Sequence, residues 1–553
     1  MTTSNGAAQK PAVPSVPNRA EELAELIDAV KALVVPFVKD ADDAFPERAQ
    51  GGPAGTSTAD LPVRTALVES LSPQELVPRL NLSLPQGNGG GRDAALALIQ
   101  RILELSVNTW DQGFLDKLYS STTPVGVAAE LLLSVLNTNL HVFQVSPALS
   151  AIEKTTAREL ARQFGFTGPR AGGVTVAGGS ASNFTSVIVA RNTLFPETKV
   201  HGNGAGRRFA LFTSAHGHYS VEKAAQAAGL GSGAVWTVPV DAEGRMVPSA
   251  LEARIVEASA AGMTPMYVNT TAGTTVMGSY DPFEAISVIC KAHGLWLHID
   301  ASWGGPAIFS ATHRHKLAGS HLADSLTVNP HKMMNVPVTC SFLLGPDLRK
   351  FHRANTLPAG YLFHSPPDVK DKAGGAATNG AATNGAVANG VAAAPEDDEE
   401  DDKDYTEVWD LADLTLQCGR HGDSLKLALA WVYEGAAGFE RQTDHAFRIA
   451  TLLADTLSKK SDTFALVSSN PPPCLQVCFY YADGAPGTPH ADKAINSRRT
   501  RAAVALLIRR GYMIDFAPGD NGSFFRVVVN WQTRPGTVHG LVRALELVRK
   551  EVE

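Results

Sequence analysis

The chain has 553 residues, 44% of them apolar, with a formal charge of −7 and a sequence pI near 6.2. That length exceeds what one small core organises, so two or three structured domains are expected. The absence of a basic excess excludes nucleic acid as the main partner and leaves a small molecule as the expected substrate.

Residues 1–60 are rich in Pro, Ala, Gly, Ser and Thr and read as a mostly disordered tail. Within them residues 21–35 are amphipathic and predict a helix ending before Pro36. The opening Met-Thr-Thr-Ser-Asn-Gly has no basic region followed by an apolar one, and no stretch approaches the ~18 apolar residues of a membrane span, so the expected location is cytoplasmic. Residues 61–151 carry helical periodicity, as in 94–99 and 128–133, and predict a helical N-terminal segment. Over 152–365, β-branched apolar runs at 209–213, 265–269 and 295–299 alternate with helical stretches such as 283–288. That rhythm predicts an α/β domain whose mostly parallel sheet is covered by helices.

Residues 366–404 break the rhythm. Positions 372–395 repeat Gly, Ala, Thr and Asn, with two copies of Ala-Ala-Thr-Asn-Gly, and residues 396–402 are seven consecutive acids. Such composition cannot bury a core, so a disordered acidic insertion is expected, its charges solvated rather than holding a metal. Residues 405–553 are helical over 410–454, then mix strands at 475–481 and 524–530 with helices, as in a small α+β domain. The five cysteines, Cys290, Cys340, Cys418, Cys474 and Cys478, form no disulfide framework, and their odd number suits a reducing compartment. Cys474 and Cys478, with no second Cys/His pair nearby, read as strand residues rather than metal ligands.

In an open α/β sheet, ligands bind beyond the carboxyl ends of the strands, so polar residues directly after apolar runs are the candidates. Gly178-Gly179-Ser180-Ala181-Ser182-Asn183 precedes a helical stretch; its small residues and helix N-terminus make either a phosphate cradle or a capped loop. His218, in Ser214-Ala215-His216-Gly217-His218-Tyr219-Ser220, is placed to stack on a flat ring or to serve only its loop. Thr270-Thr271-Ala272-Gly273-Thr274-Thr275 either bonds a cofactor or closes a turn. In Leu297-His298-Ile299-Asp300-Ala301-Ser302, a carboxylate ends a buried strand and needs a cation; a protonated pyridine nitrogen is one, an Arg another. Lys332, in Asn329-Pro330-His331-Lys332-Met333-Met334, follows an apolar alternation; desolvation there would lower its pKa and suit it to imine formation.

Taken in order, these blocks resemble the group II pyridoxal 5′-phosphate (PLP) dependent decarboxylases, in particular the glutamate, aspartate and cysteine sulfinate branch. The resemblance runs from about Phe114 to the C-terminus, outside 366–404, and includes Leu136-Asn137-Thr138-Asn139, His313-Arg314-His315-Lys316, Ala359-Gly360-Tyr361-Leu362-Phe363 and Cys418-Gly419-Arg420-His421. It implies a PLP-dependent transferase fold of type I, with a mixed, mostly parallel seven-stranded sheet, a helical N-terminal arm and a small α+β C-terminal domain. It also implies Lys332 as Schiff-base lysine, Asp300 on the pyridine nitrogen and His218 on the ring. Ala181, Ser182, Thr275, Ser302 and Asn329 would hold the phosphate and ring substituents, and Tyr361 would return a proton to the substrate carbanion. The His313/His315 pair becomes structural, and a homodimer is implied, with the segment near Asn137–Asn139 reaching across.

Arg526, alone among apolar neighbours at 524–530, needs an anion, and in the branch resembled an arginine here binds an acidic substrate. The family pattern Asn-Gln-Leu is Asp116-Lys117-Leu118 in this chain, so Lys117 would add a second cation. The expected reaction is α-decarboxylation of an acidic L-amino acid, aspartate to β-alanine or glutamate to GABA. Cysteine sulfinate or an aromatic amino acid is the alternative substrate, the aromatic disfavoured because Arg526 would be left unpaired. An aminotransferase or carbon–sulfur lyase is the alternative reaction.

Overall fold

The computed structural model describes residues 18–55, 57–203, 206–357 and 407–553. Tyr361, the insertion expected at 366–404 and the first 17 residues lie outside the described residues. The described chain has twelve strands in order: β1 Phe114–Leu115, β2 Gly172–Val176, β3 Phe209–Ser214, β4 Val235–Val238, β5 Thr264–Thr271, β6 Trp296–Ala301, β7 Ser325–Val328, β8 Ser341–Gly345, β9 Phe464–Leu466, β10 Gln476–Tyr481, β11 Met513–Ala517 and β12 Phe524–Val528. They form two sheets in two units.

The unit Thr122–His445 contains the larger sheet, seven strands in the order β2-β8-β7-β6-β5-β3-β4. Strands β3 to β7 run parallel and β8 is antiparallel to both its neighbours, so the sheet is mixed and mostly parallel. Its central strands β5, β6 and β7 are almost wholly buried, as their unbroken apolar and β-branched character requires. Helix Gly179–Leu194 packs against β2, β5, β6, β7 and β8, with Val187, Val189 and Ala190 fully buried in the core beneath it. The strand register sets Thr271 on β5, Asp300 on β6 and Thr327 on β7 level with one another at the carboxyl edge.

The other unit joins the two ends of the chain, up to Ser121 and from Ala446. Its sheet runs β1-β11-β12-β10-β9, with β1 parallel to β11 through Phe114↔Met513 and Leu115↔Ile514. The helical stretch expected over 61–151 is therefore divided, its first part sharing a sheet with the C-terminal strands. Two local expectations are corrected. The helix predicted to end before Pro36 runs Arg19–Asp43 with Pro36 inside it. Pro36 removes one backbone donor, freeing the carbonyl of Ala32 one turn earlier, yet the helix continues for a further seven residues. The tail read as mostly disordered is likewise helical at Phe45–Gln50, where Arg48 is fully buried. Its guanidinium meets the Asp111 carboxylate in two bonds of 2.9 Å, a pairing across 63 residues that composition does not reveal. The long helix Ser424–Ser458 is interrupted at Gly435, whose φ of +67° is open to glycine.

Candidate active site

A cavity of about 210 Å³ opens at the carboxyl edge of the seven-stranded sheet. Each wall comes from a loop that succeeds a parallel strand or from the Gly178 turn after β2, the arrangement expected of an open α/β sheet. The turn places Gly178 at φ +92°, then starts helix Gly179–Leu194. A Cβ on Gly179 would lie 2.7 Å from both the Asn329 amide nitrogen and the Ser302 hydroxyl, so a side chain there would displace both of these groups. His218 and Tyr219 enter after β3, Thr271 and Thr275 at the end of β5, Asp300 and Ser302 from β6, and Asn329, His331 and Lys332 after β7.

Charge and burial oppose each other here. Burial alone raises the Asp300 pKa, but the ammonium of Lys332 and the bonds from Ser302 and Asn183 outweigh it and hold the carboxyl below its usual range. Asn183 Nδ2 donates to Asp300 Oδ2 at 2.8 Å, and the backbone N–H of Ser302 donates to Oδ1 at 3.1 Å. Lys332 opens onto the cavity, yet desolvation pulls its pKa down against the attraction of Asp300. Burial also lowers His218, helped by Lys332 and opposed by Asp300. Its Nδ1 accepts from the Ser220 backbone N–H at 3.2 Å, which leaves the ring neutral with its proton on Nε2. His331 is pushed by burial down to about 4, its Nδ1 lying 2.7 Å from the Cys340 carbonyl oxygen.

Of the residues read from the sequence, Lys332, Asp300, His218, Thr275, Ser302 and Asn329 meet around this one cavity. Ala181 and Ser182 do not line it. Ala181 packs against the apolar core, and the Ser182 hydroxyl lies 2.7 Å from that of Thr327; Gly179 and Ser180 face the cavity in their place. The helix begins at Gly179, inside the block read as preceding it, and the Ala181 and Ser182 side chains turn away from the cavity. Asn183, Thr271, Trp303 and His331 were missed. Asn183 had a legible signal, since it lies three residues after Ser180 and so on the same helix face.

Arg526 and Lys117 come together in the other unit, and they are not waiting for an anion. Asp515, directly across from Arg526 in the β11–β12 register, accepts from the guanidinium at 2.6 Å and from Lys117 Nζ at 2.9 Å. Lys117 also meets Asp116 at 3.2 Å. The expectation that Arg526 would be left unpaired without an acidic substrate is thereby corrected: the chain supplies the carboxylate itself, and aromatic substrates cannot be disfavoured on that ground.

A lysine and a carboxylate facing each other in a cavity at the carboxyl edge of a mixed seven-stranded sheet define a PLP-dependent enzyme of fold type I. The chain belongs to the pyridoxal-dependent decarboxylases, whose conserved domain matches residues 73–379 and 399–482, and it is accordingly a carboxy-lyase. It is 52% identical over 535 residues to L-aspartate decarboxylase dtxS4 of Metarhizium robertsii, covering 97% of this chain and 98% of that protein. A glutamate decarboxylase-like protein of Gibberella zeae is 40% identical over 83% of this chain and 87% of its own length. Among solved structures, mouse CSAD superposes with a TM-score of 0.78 at 30% identity, over 96% of this chain and 99% of that one.

The cavity fits the cofactor of this family. The Thr271 hydroxyl is buried at its wall without a hydrogen-bond partner, a polar atom that a ligand would satisfy. A side chain at Gly179 would displace Asn329 and Ser302 where a phosphate would meet backbone N–H groups. The amine of Lys332, the carboxylate of Asp300 and the ring of His218 match an aldehyde, a pyridine nitrogen and a flat ring in turn.

Proposed function

We propose that this chain converts L-aspartate to β-alanine and carbon dioxide with pyridoxal 5′-phosphate. The observation that carries the choice of substrate is the 52% identity, over nearly the whole of both chains, to an L-aspartate decarboxylase. L-Glutamate is the second reading, supported by the glutamate decarboxylase-like relative. When bound, the cofactor accepts into its ring the electron pair left on Cα as carbon dioxide departs.

The chain's own residues divide the work in this reading. Lys332, whose pKa burial lowers, would hold the cofactor through its amine nitrogen. Asp300, held ionised, keeps a proton on the pyridine nitrogen, and His218 covers the ring face and excludes water. Ser180, Ser302, Thr275 and Asn329 hold the phosphate and ring substituents, with the backbone N–H of Ala181 contributing at the helix N-terminus; that of Ser182 is engaged by the Gly178 carbonyl at 3.0 Å. Tyr361 returns a proton to Cα. Arg526 and Lys117 recognise the side-chain carboxylate of the substrate by exchanging the carboxylate of Asp515 for it. The active species is a cytoplasmic homodimer, supported by the exposed apolar face of helix Pro124–Leu136, just before Asn137.

Product analysis tests the substrate: incubated with L-Asp, L-Glu, cysteine sulfinate, DOPA and L-Tyr in turn, the enzyme is expected to release carbon dioxide and β-alanine fastest from L-Asp. A faster release of another amine would overturn that choice, and release of keto acid would overturn decarboxylation. Lys332→Ala is expected to lose both turnover and the visible absorbance of the bound cofactor; retention of that absorbance would remove Lys332 from its role.

A further inference from the structure

Asp300 ends a hydrogen-bonded chain that the proposed reaction does not use. Trp296, His298 and Asp300 alternate along β6 and so project to one face of the sheet, where His298 is the cross-strand neighbour of Ser325 on β7. Trp296 Nε1 donates to Ser325 Oγ at 2.8 Å, and Ser325 Oγ lies 2.8 Å from His298 Nδ1. His298 Nε2 lies 3.1 Å from Asn183 Oδ1, and Asn183 Nδ2 donates to Asp300 Oδ2 at 2.8 Å. All five residues are buried.

The chemistry of each group fixes the direction of every bond. An ionised carboxylate only accepts, so Asn183 must turn its amide nitrogen to Asp300 and its carbonyl oxygen to His298. That oxygen cannot donate, so the proton of His298 sits on Nε2. Burial pushes His298 down to about 4, which keeps the ring neutral and leaves Nδ1 bare. An indole N–H only donates, so the Ser325 hydroxyl accepts from Trp296 and passes its own hydrogen to Nδ1. Donors therefore run one way, from Trp296 to Asp300. Side contacts hold the line in place: the second amide hydrogen of Asn183 goes to Ser220 Oγ at 2.9 Å, Thr327 Oγ1 lies 3.3 Å from His298 Nε2, and the Tyr267 ring stacks on His298 at 5.8 Å.

We propose that His298 is a positioning residue that acts on the cofactor through Asn183 and Asp300, orienting the carboxylate and lowering its proton affinity so that the pyridine nitrogen keeps its proton. Donors in series polarise one another, and a carboxylate that accepts from such a chain competes less well for a shared proton. The inference rests on the reading of Asp300 as partner of the pyridine nitrogen.

The test compares His298→Leu and His298→Gln, each in the parent chain and in an Asp300→Asn background, by titrating pyridoxal 5′-phosphate and monitoring visible absorbance. Leucine ends the chain; glutamine keeps a donor for Asn183 and an acceptor for Ser325. His298→Leu is expected to raise the half-saturating cofactor concentration about tenfold, the scale on which removing the partner of a site ligand acts. His298→Gln is expected to stay within about twofold of the parent, and in the Asp300→Asn background His298→Leu is expected to add no more than about twofold. Equal weakening by leucine and glutamine, or effects that multiply in the double variant, would reduce His298 to a packing residue and overturn the proposal. Should His298→Leu not fold, Ser325→Ala, which removes only the donor to Nδ1, is expected to weaken binding about threefold; parent-like affinity there overturns it equally. Parent-like affinity in Asp300→Asn alone would instead remove the reading of Asp300, and the inference with it.

Discussion

His298 and His331 share one physical circumstance, an imidazole taken out of water, and it has a consequence for stability. Burial pushes both down to about 4, whereas an unfolded chain titrates histidine near 6.5. Between those values the unfolded state binds more protons, so the stability these rings contribute is complete above pH 6.5 and is lost as pH falls through about 4. His298→Gln, which removes one of the two titrations, is expected to show a shallower fall of the thermal midpoint across that window than the parent. Parallel curves for the two proteins would contradict the assignment. Asp300 and Lys332 behave differently, because each has the other: for Asp300 attraction and hydrogen bonds outweigh burial, while for Lys332 burial outweighs attraction.

Strand edges carried most of what could be read in advance. Asp300, Thr275 and Lys332 were legible because each comes after a short apolar run, and a polar residue there has one structural use in an open α/β sheet. The strands expected at 209–213, 265–269 and 295–299 form β3, β5 and β6 for the same reason, their period and composition having no other outlet. Asn183 was harder to find, since its partner Asp300 is 117 residues away and only the packing of helix Gly179–Leu194 on β6 joins them. Asp515 was illegible in the same way. Its place is set by the antiparallel register of β11 and β12, which puts it opposite Arg526. Asp515→Asn leaves that buried guanidinium without its carboxylate and is expected to cost about 1–3 kcal/mol. Denaturant unfolding measures this; an unchanged midpoint would mean that another acid, Asp116 being nearest in the cluster, takes over the pairing.

Across the chain, the helix Pro124–Leu136 shows a surface that an isolated subunit does not require. Val127, Leu131 and Val135 recur every four residues and form one exposed stripe, flanked by Leu132 and Leu136. Burying that stripe against a second copy is what the proposed homodimer supplies. Leu131→Glu with Val135→Glu is expected to halve the mass seen by light scattering, from two chains to one. A parent of single-chain mass would exclude the dimer, and a double variant that keeps the parent's two-chain mass would move the contact to another face.

Local chemistry carried far in this protein. Periodicity and composition were enough for the α/β class, and the order of short polar blocks after apolar runs carried the family resemblance that implied the cofactor, because those features depend on neighbours a few residues apart. Tertiary structure alone decided that Asp515 neutralises Arg526, that Arg48 is buried on Asp111, that the two ends of the chain share one sheet, and that His298 is wired to Asp300. Each of these depends on register or packing between segments distant in sequence, and a buried charge or neutral imidazole is defined by the partner that folding brings to it.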